Sequence, residues 1–65
     1  MRIDLNGMTF TIVARSLAEM LTELGVDGAA IATAVNGTFV PAAARAGTLL
    51  QDGDRIEVLA PKQGG

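Results

Sequence analysis

Apolar and polar residues alternate from the first position. Met1, Ile3 and Leu5 are separated by Arg2, Asp4 and Asn6, the period of a half-buried strand. Asn6-Gly7 follows. A two-residue type I′ turn needs positive φ at both central positions, and Asn-Gly tolerates this best. Met8, Phe10 and Ile12 then alternate with Thr9, Thr11 and Val13. Residues 1–13 therefore read as a β-hairpin. After that the period changes. Leu17, Met20, Leu21 and Leu24 fall at i, i+3, i+4 and i+7, one face of a helix of about nine residues. Ser16-Leu17-Ala18-Glu19 has the form of a capping box, in which the Ser16 hydroxyl accepts from the Glu19 amide and the Glu19 carboxylate reaches back to the Ser16 amide. Gly25 stands where a left-handed C-terminal cap is placed.

Asp27-Gly28 marks a loop, and Ile31 to Val35 reads as a short strand. Asn36-Gly37 repeats the hairpin signal, and Thr38 to Val40 begins a return strand that Pro41 ends by withholding a ladder donor. Ala42 to Ala46 is a small-residue stretch with room for one helical turn. Thr48-Leu49-Leu50 is short and apolar, and Gln51-Asp52-Gly53-Asp54 is a turn. Arg55 to Ala60 is the last strand, with Ile56, Val58 and Ala60 on one face and Arg55, Glu57 and Leu59 on the other. The order of elements predicts an α+β fold, a single mixed β-sheet with one main helix packed across one face.

Composition narrows the chemistry. A 65-residue chain is one domain, with a net stability of about 3–5 kcal/mol and little room for a deep catalytic pocket. Histidine and cysteine are both absent. That removes the usual general base near neutral pH, the usual metal ligands, thiolate chemistry and any disulfide. A net charge of −2 with five basic residues argues against nucleic acid as a partner. No apolar run reaches the roughly 18 residues of a membrane span, and the strand-like N-terminus is unlike a signal peptide. We therefore expect a soluble cytoplasmic protein with no membrane partner, no metal site, no bound cofactor and no catalytic residues of its own. Asp52 and Asp54 read as turn residues, as do Asn6 and Asn36. Met1, Met8 and Met20 read as core fillers, and Arg55 and Glu57 as a solvated face.

Three features taken together carry a family resemblance. Ala34-Val35-Asn36-Gly37-Thr38-Phe39-Val40-Pro41 resembles the "VNG..VP" segment of the ThiS sulfur carriers of thiamin thiazole biosynthesis. Leu50 to Val58, LQDGDRIEV, resembles their "L.DGD.IEI" segment, and the sequence finishes on Gly64-Gly65. The resemblance runs over essentially the whole chain. The small subunit of molybdopterin synthase resembles the same pattern, but tends to carry Pro-Pro ahead of its glycines where Leu59-Ala60-Pro61 has one proline.

The resemblance implies a ubiquitin-like β-grasp domain over residues 1–60, with first and last strands parallel at the sheet centre, and a flexible Gly-Gly tail over residues 61–65. It implies that an E1-like, ThiF-like adenylyltransferase uses ATP to activate the Gly65 carboxylate. A sulfur donor such as a cysteine desulfurase then turns the acyl-adenylate into a C-terminal thiocarboxylate, and a ThiG-like thiazole synthase takes the sulfur. Glycine suits that position because backbone without a Cβ enters a narrow channel, and Pro61 ends the ladder and projects Lys62 to Gly65. Alternation places Leu59, Ala34 and Phe39 on the sheet face away from the helix, where they form either a docking patch beside the tail or ordinary exposed apolar residues. A ubiquitin-like protein modifier and a β-grasp binding module remain as alternatives at this stage.

Overall fold

The structure, a computed structural model, describes residues 1–60. Five strands form one sheet in the order β2-β1-β5-β3-β4: β1 (Arg2–Leu5), β2 (Met8–Thr11), β3 (Ala32–Val35), β4 (Thr38–Val40) and β5 (Arg55–Leu59). Two antiparallel hairpins, β1–β2 and β3–β4, flank β5. The last strand runs parallel to β1 and antiparallel to β3. The expected single mixed sheet, with first and last strands parallel at its centre, is thus present. Both hairpins turn on Asn-Gly, with Asn6 and Asn36 at φ 50° and the following glycines at φ 86° and 84°. These are the positive values a type I′ turn demands.

Helix α1 (Leu17–Glu23) begins as the capping box requires. The Glu19 amide donates to Ser16 Oγ at 3.1 Å, and Glu19 Oε1 accepts from the amides of Arg15 and Ser16. Gly25, at φ 72°, ends the helix in the left-handed region. Leu17, Met20 and Leu21 are buried, and they pack with Ile3, Ile12, Val40, Leu50 and Ile56 into the core. The helix therefore covers the sheet face that carries Ile3 and Ile56.

Some details depart from expectation. The second strand ends at Thr11, although Met1 and Ile12 still exchange backbone hydrogen bonds. Ile31 leaves the third strand and closes a short 3-10 turn, Gly28–Ala30, capped by the Asp27 carboxylate on the Ala29 amide. Met20 fills the core as expected, but Met1 and Met8 are exposed. Met8 pairs with Leu5 at the turn end of the edge hairpin, and Met1 lies at that hairpin's open end, both beyond the core. The Ala42 to Ala46 stretch is a 3-10 helix, Ala42–Gly47, which buries one charged residue.

Candidate functional site

The last strand is held from both sides. On one side the ladder with β1 stops at Leu5↔Ile56 because Asn6 turns the chain away. The Asn6 backbone N–H donates to the Ile56 carbonyl at 3.0 Å. Its side-chain amide then takes the next place in the ladder: Oδ1 accepts from the Val58 N–H at 2.9 Å, and Nδ2 donates to the Val58 carbonyl at 3.0 Å. Asn36 acts similarly at the start of the strand. Its Oδ1 accepts from the Arg55 N–H at 2.9 Å and its Nδ2 donates to Asp54 Oδ1 at 3.0 Å. Both asparagines are turn residues, as expected, and both also pin β5. Asp52 and Asp54 serve the neighbouring turn, accepting from the amides of Arg2 and Gln51.

The face of the sheet away from α1 carries Leu59, Ala34 and Phe39. Register places Ala34 between Phe39 on one side and Glu57 on the other, and Ala32 opposite Leu59. Phe39 is 64% exposed and Leu59 70% exposed, while the alanines between them are half-buried. Ala32, Thr33, Ala34, Phe39, Glu57 and Leu59 line a shallow depression of about 120 Å³. Leu59, Ala34 and Phe39 are thus brought together, two residues before Pro61. Gly64 and Gly65, the expected site of activation, lie outside the described residues.

A larger groove of about 480 Å³ runs between the two Asn-Gly turns, with Arg55, Ile56 and Glu57 on its floor and Asp4, Asn6, Gly7 and Gly37 around it. It is built from turn backbone and exposed charges. Among the described residues no group of three or more acidic side chains could hold a metal ion, and no helix is long and apolar enough to cross a membrane. A nucleophile paired with a histidine base is impossible in a chain without histidine.

Two structural residues escaped the sequence reading. Arg45, only 6% exposed, enters the interior from Ala42–Gly47. Its Nε donates to Thr33 Oγ1 at 3.1 Å, Nη1 to the Gly28 carbonyl at 2.8 Å and Nη2 to the Ile31 carbonyl at 2.7 Å. The Thr33 hydroxyl in turn donates a hydrogen bond to the Val40 carbonyl at 2.7 Å. Among the described residues every hydrogen-bond partner of the guanidinium is neutral. The one visible signal was Thr33, a polar residue at an inward strand position. Glu23 is the other: its carboxylate accepts from the amides of Val13 and Ala14, tying the end of the first hairpin to the last turn of α1.

The sheet order, the parallel central pair and the single helix across one face define a ubiquitin-like β-grasp domain. The comparisons with known proteins agree. The family model described as "ThiS family" matches residues 3–65, and the chain belongs to the ThiS family. A crystal structure of the thiamine biosynthesis protein ThiS from Geobacter metallireducens is similar at 29% identity, with a TM-score of 0.85 and full coverage of both chains. An NMR solution structure of a thiamine biosynthesis protein from the same organism gives a TM-score of 0.76 at 29% identity, covering all of this chain and 88% of that one. The comparison with curated proteins returns no match.

Proposed function

We propose that this protein is a sulfur carrier for thiazole formation in thiamin biosynthesis, and not itself an enzyme. The supporting observation is the family match, which runs through the β-grasp domain and on to the terminal Gly64-Gly65. An E1-like, ThiF-like adenylyltransferase brings ATP, and a Gly65 carboxylate oxygen attacks the α-phosphorus with loss of pyrophosphate. Hydrosulfide, released by a thiol reductant from the persulfide of a donor such as a cysteine desulfurase, then attacks the acyl carbon and AMP leaves. The resulting thiocarboxylate passes its sulfur to a ThiG-like thiazole synthase. The carrier's contribution is placement. Its final acyl group has no side chain to hinder attack, and the apolar patch of Phe39, Ala34 and Leu59 offers a partner a surface beside the base of the tail, where small alanines permit close approach.

Reconstitution with the adenylyltransferase, ATP and a sulfur donor tests this. Intact-mass spectrometry should show one oxygen exchanged for sulfur, localised to Gly65. Deleting Gly65, or adding residues after it, should abolish the product while leaving the circular dichroism spectrum unchanged. Equal thiolation of the truncated chain would overturn the proposal.

A further inference from the structure

We propose that Asn6 is a positioning residue for the tail: its side-chain amide substitutes for a peptide group and fixes the end of β5 from which the tail departs. The inference rests on the carrier function proposed above. A primary carboxamide presents its C=O and one N–H side by side on one edge, the same acceptor and donor that a whole residue of a neighbouring strand offers in an antiparallel ladder. The Asn6 amide uses them on the N–H and C=O of a single residue, Val58. The backbone of β1 cannot do so, because Asn6 sits at φ 50° and leads away into the turn. The last backbone bond from this side reaches Ile56. Beyond Ile56, among the described residues, β5 is therefore secured on the β1 side by this one side chain, and on the β3 side by the register from Ala34↔Glu57 to Ala32↔Leu59.

Two demands meet at this position. The turn needs a residue that tolerates positive φ, which Gly, Asn and Asp do. The strand end needs both a donor and an acceptor at short reach. Asp has acceptors only and sets negative charge against the Val58 carbonyl, and Gly has neither group. Asn alone meets both. For a carrier whose working atom is a terminal carboxylate, holding the strand end in one place lowers the ordering that a partner must impose before reaction.

The test compares Asn6→Gly, which keeps the turn and deletes the amide, with Asn36→Gly, which deletes an equivalent pair of bonds at the other end of β5. Amide exchange is followed at Leu59, which Asn6 does not touch, and at Ile12 in the core. With the adenylyltransferase and ATP, kcat and KM are measured. Asn6→Gly should raise exchange at Leu59 about tenfold beyond any change at Ile12. It should lower kcat roughly fivefold and leave KM within about twofold, since the docking patch is intact. Asn36→Gly should shift Leu59 and Ile12 together and leave kcat alone. Asn6→Asp, which keeps an acceptor for the Val58 N–H, should fall between wild type and Asn6→Gly. If Asn6→Gly behaves as Asn36→Gly does in exchange and kcat, the residue merely stabilises the fold and the proposal fails. Should Asn6→Gly not fold, Asn6→Asp against Asn36→Asp decides by the same criterion. A wild-type protein that is not adenylated would sink the carrier function instead, and the Leu59 exchange comparison would still decide the role of Asn6.

Discussion

Replacing Arg45 with methionine isolates the worth of a buried cation held by dipoles. Methionine keeps an unbranched apolar stem in the same space and removes three donated bonds, those to Thr33 Oγ1 and to the carbonyls of Gly28 and Ile31. Each bond from a charged donor contributes about 1.5–3 kcal/mol, so the three together supply roughly 4.5–9 kcal/mol. Against this stands the cost of removing the guanidinium from water, several kcal/mol. The substitution also orphans two carbonyls at about 1–3 kcal/mol each, toward the low end because Gly28 and Ile31 are only half-buried and water can reach them. Thr33 is spared, since its hydroxyl still donates to Val40. The net expectation is a loss of about 2–3 kcal/mol, a large share of what a domain of this size commands. Urea unfolding followed by circular dichroism reads this directly. With a slope of about 1 kcal/mol/M, the midpoint should fall by about 2–3 M. A buried ionic group can also be replaced by an apolar one at no cost or with a gain. An Arg45→Met midpoint equal to or above wild type would show that desolvation cancels the three bonds, and the reasoning would be wrong.

Other perturbations probe separate parts of the structure. Gly28→Ala should cost about 1 kcal/mol, because its Cβ would lie 3.0 Å from Arg45 Nη1; thermal melts check it, and no loss should appear in the Arg45→Met background. Glu23→Ala strips the acceptor from two backbone amides and should lower stability by about 1–2 kcal/mol, with faster amide exchange at Val13 and Ala14. Ser16→Ala removes the capping acceptor for the Glu19 amide, for about 1 kcal/mol, measured by chemical denaturation. Phe39→Ala should leave stability within about 0.5 kcal/mol, as expected for an exposed side chain, yet weaken binding to the adenylyltransferase by about 1–2 kcal/mol. Calorimetric titration showing unchanged affinity would refute the proposed docking role of Phe39.

The alternating runs were legible because each sheet face meets a different medium. Ile3 and Ile56 face α1 and are buried, while Asp4, Arg55, Glu57 and Leu59 lie on the opposite face. Local patterns of this kind carry their own signal, and so do the Asn-Gly turns and the Ser16 capping box. The patch was legible for the same reason, since alternation alone assigns Phe39, Ala34 and Leu59 to one side. Which strands neighbour one another was not local information. The parallel β1–β5 pair came only with the family resemblance. For Arg45 the one local signal was its partner Thr33, a polar residue at an inward strand position. Arg45 itself stands in AAARAG, read as a small-residue stretch with room for one helical turn, and its partners lie 12 to 17 residues back in the chain. The same limit hid the second role of Asn6, whose partner Val58 is 52 residues away.

These long-range bonds explain how a small domain can end in a defined place. A strand at a sheet edge is bonded on one side and frays from its end. Here the final strand lies at the centre, between β1 and β3, so its end separates only if both neighbours release it. The two sides use different means. On the β3 side, pairing continues to Leu59, and the segment just before β3 is fixed by Arg45 through the carbonyls of Gly28 and Ile31. On the β1 side, a side-chain amide extends a strand whose backbone has already turned away. Arg45 and Asn6 therefore act on the same strand end from opposite flanks, without contact between them in the hydrogen-bond network. Their effects on exchange at Leu59 should accordingly differ in kind. Arg45→Met should loosen Leu59 through Ala32 and through loss of global stability together, whereas Asn6→Gly should loosen it beyond the global change. Combining the two substitutions tests the separation. Independent flanks predict additive stability losses to within about 0.5 kcal/mol, and a larger coupling would mean that the two sides of β5 are one cooperative clamp.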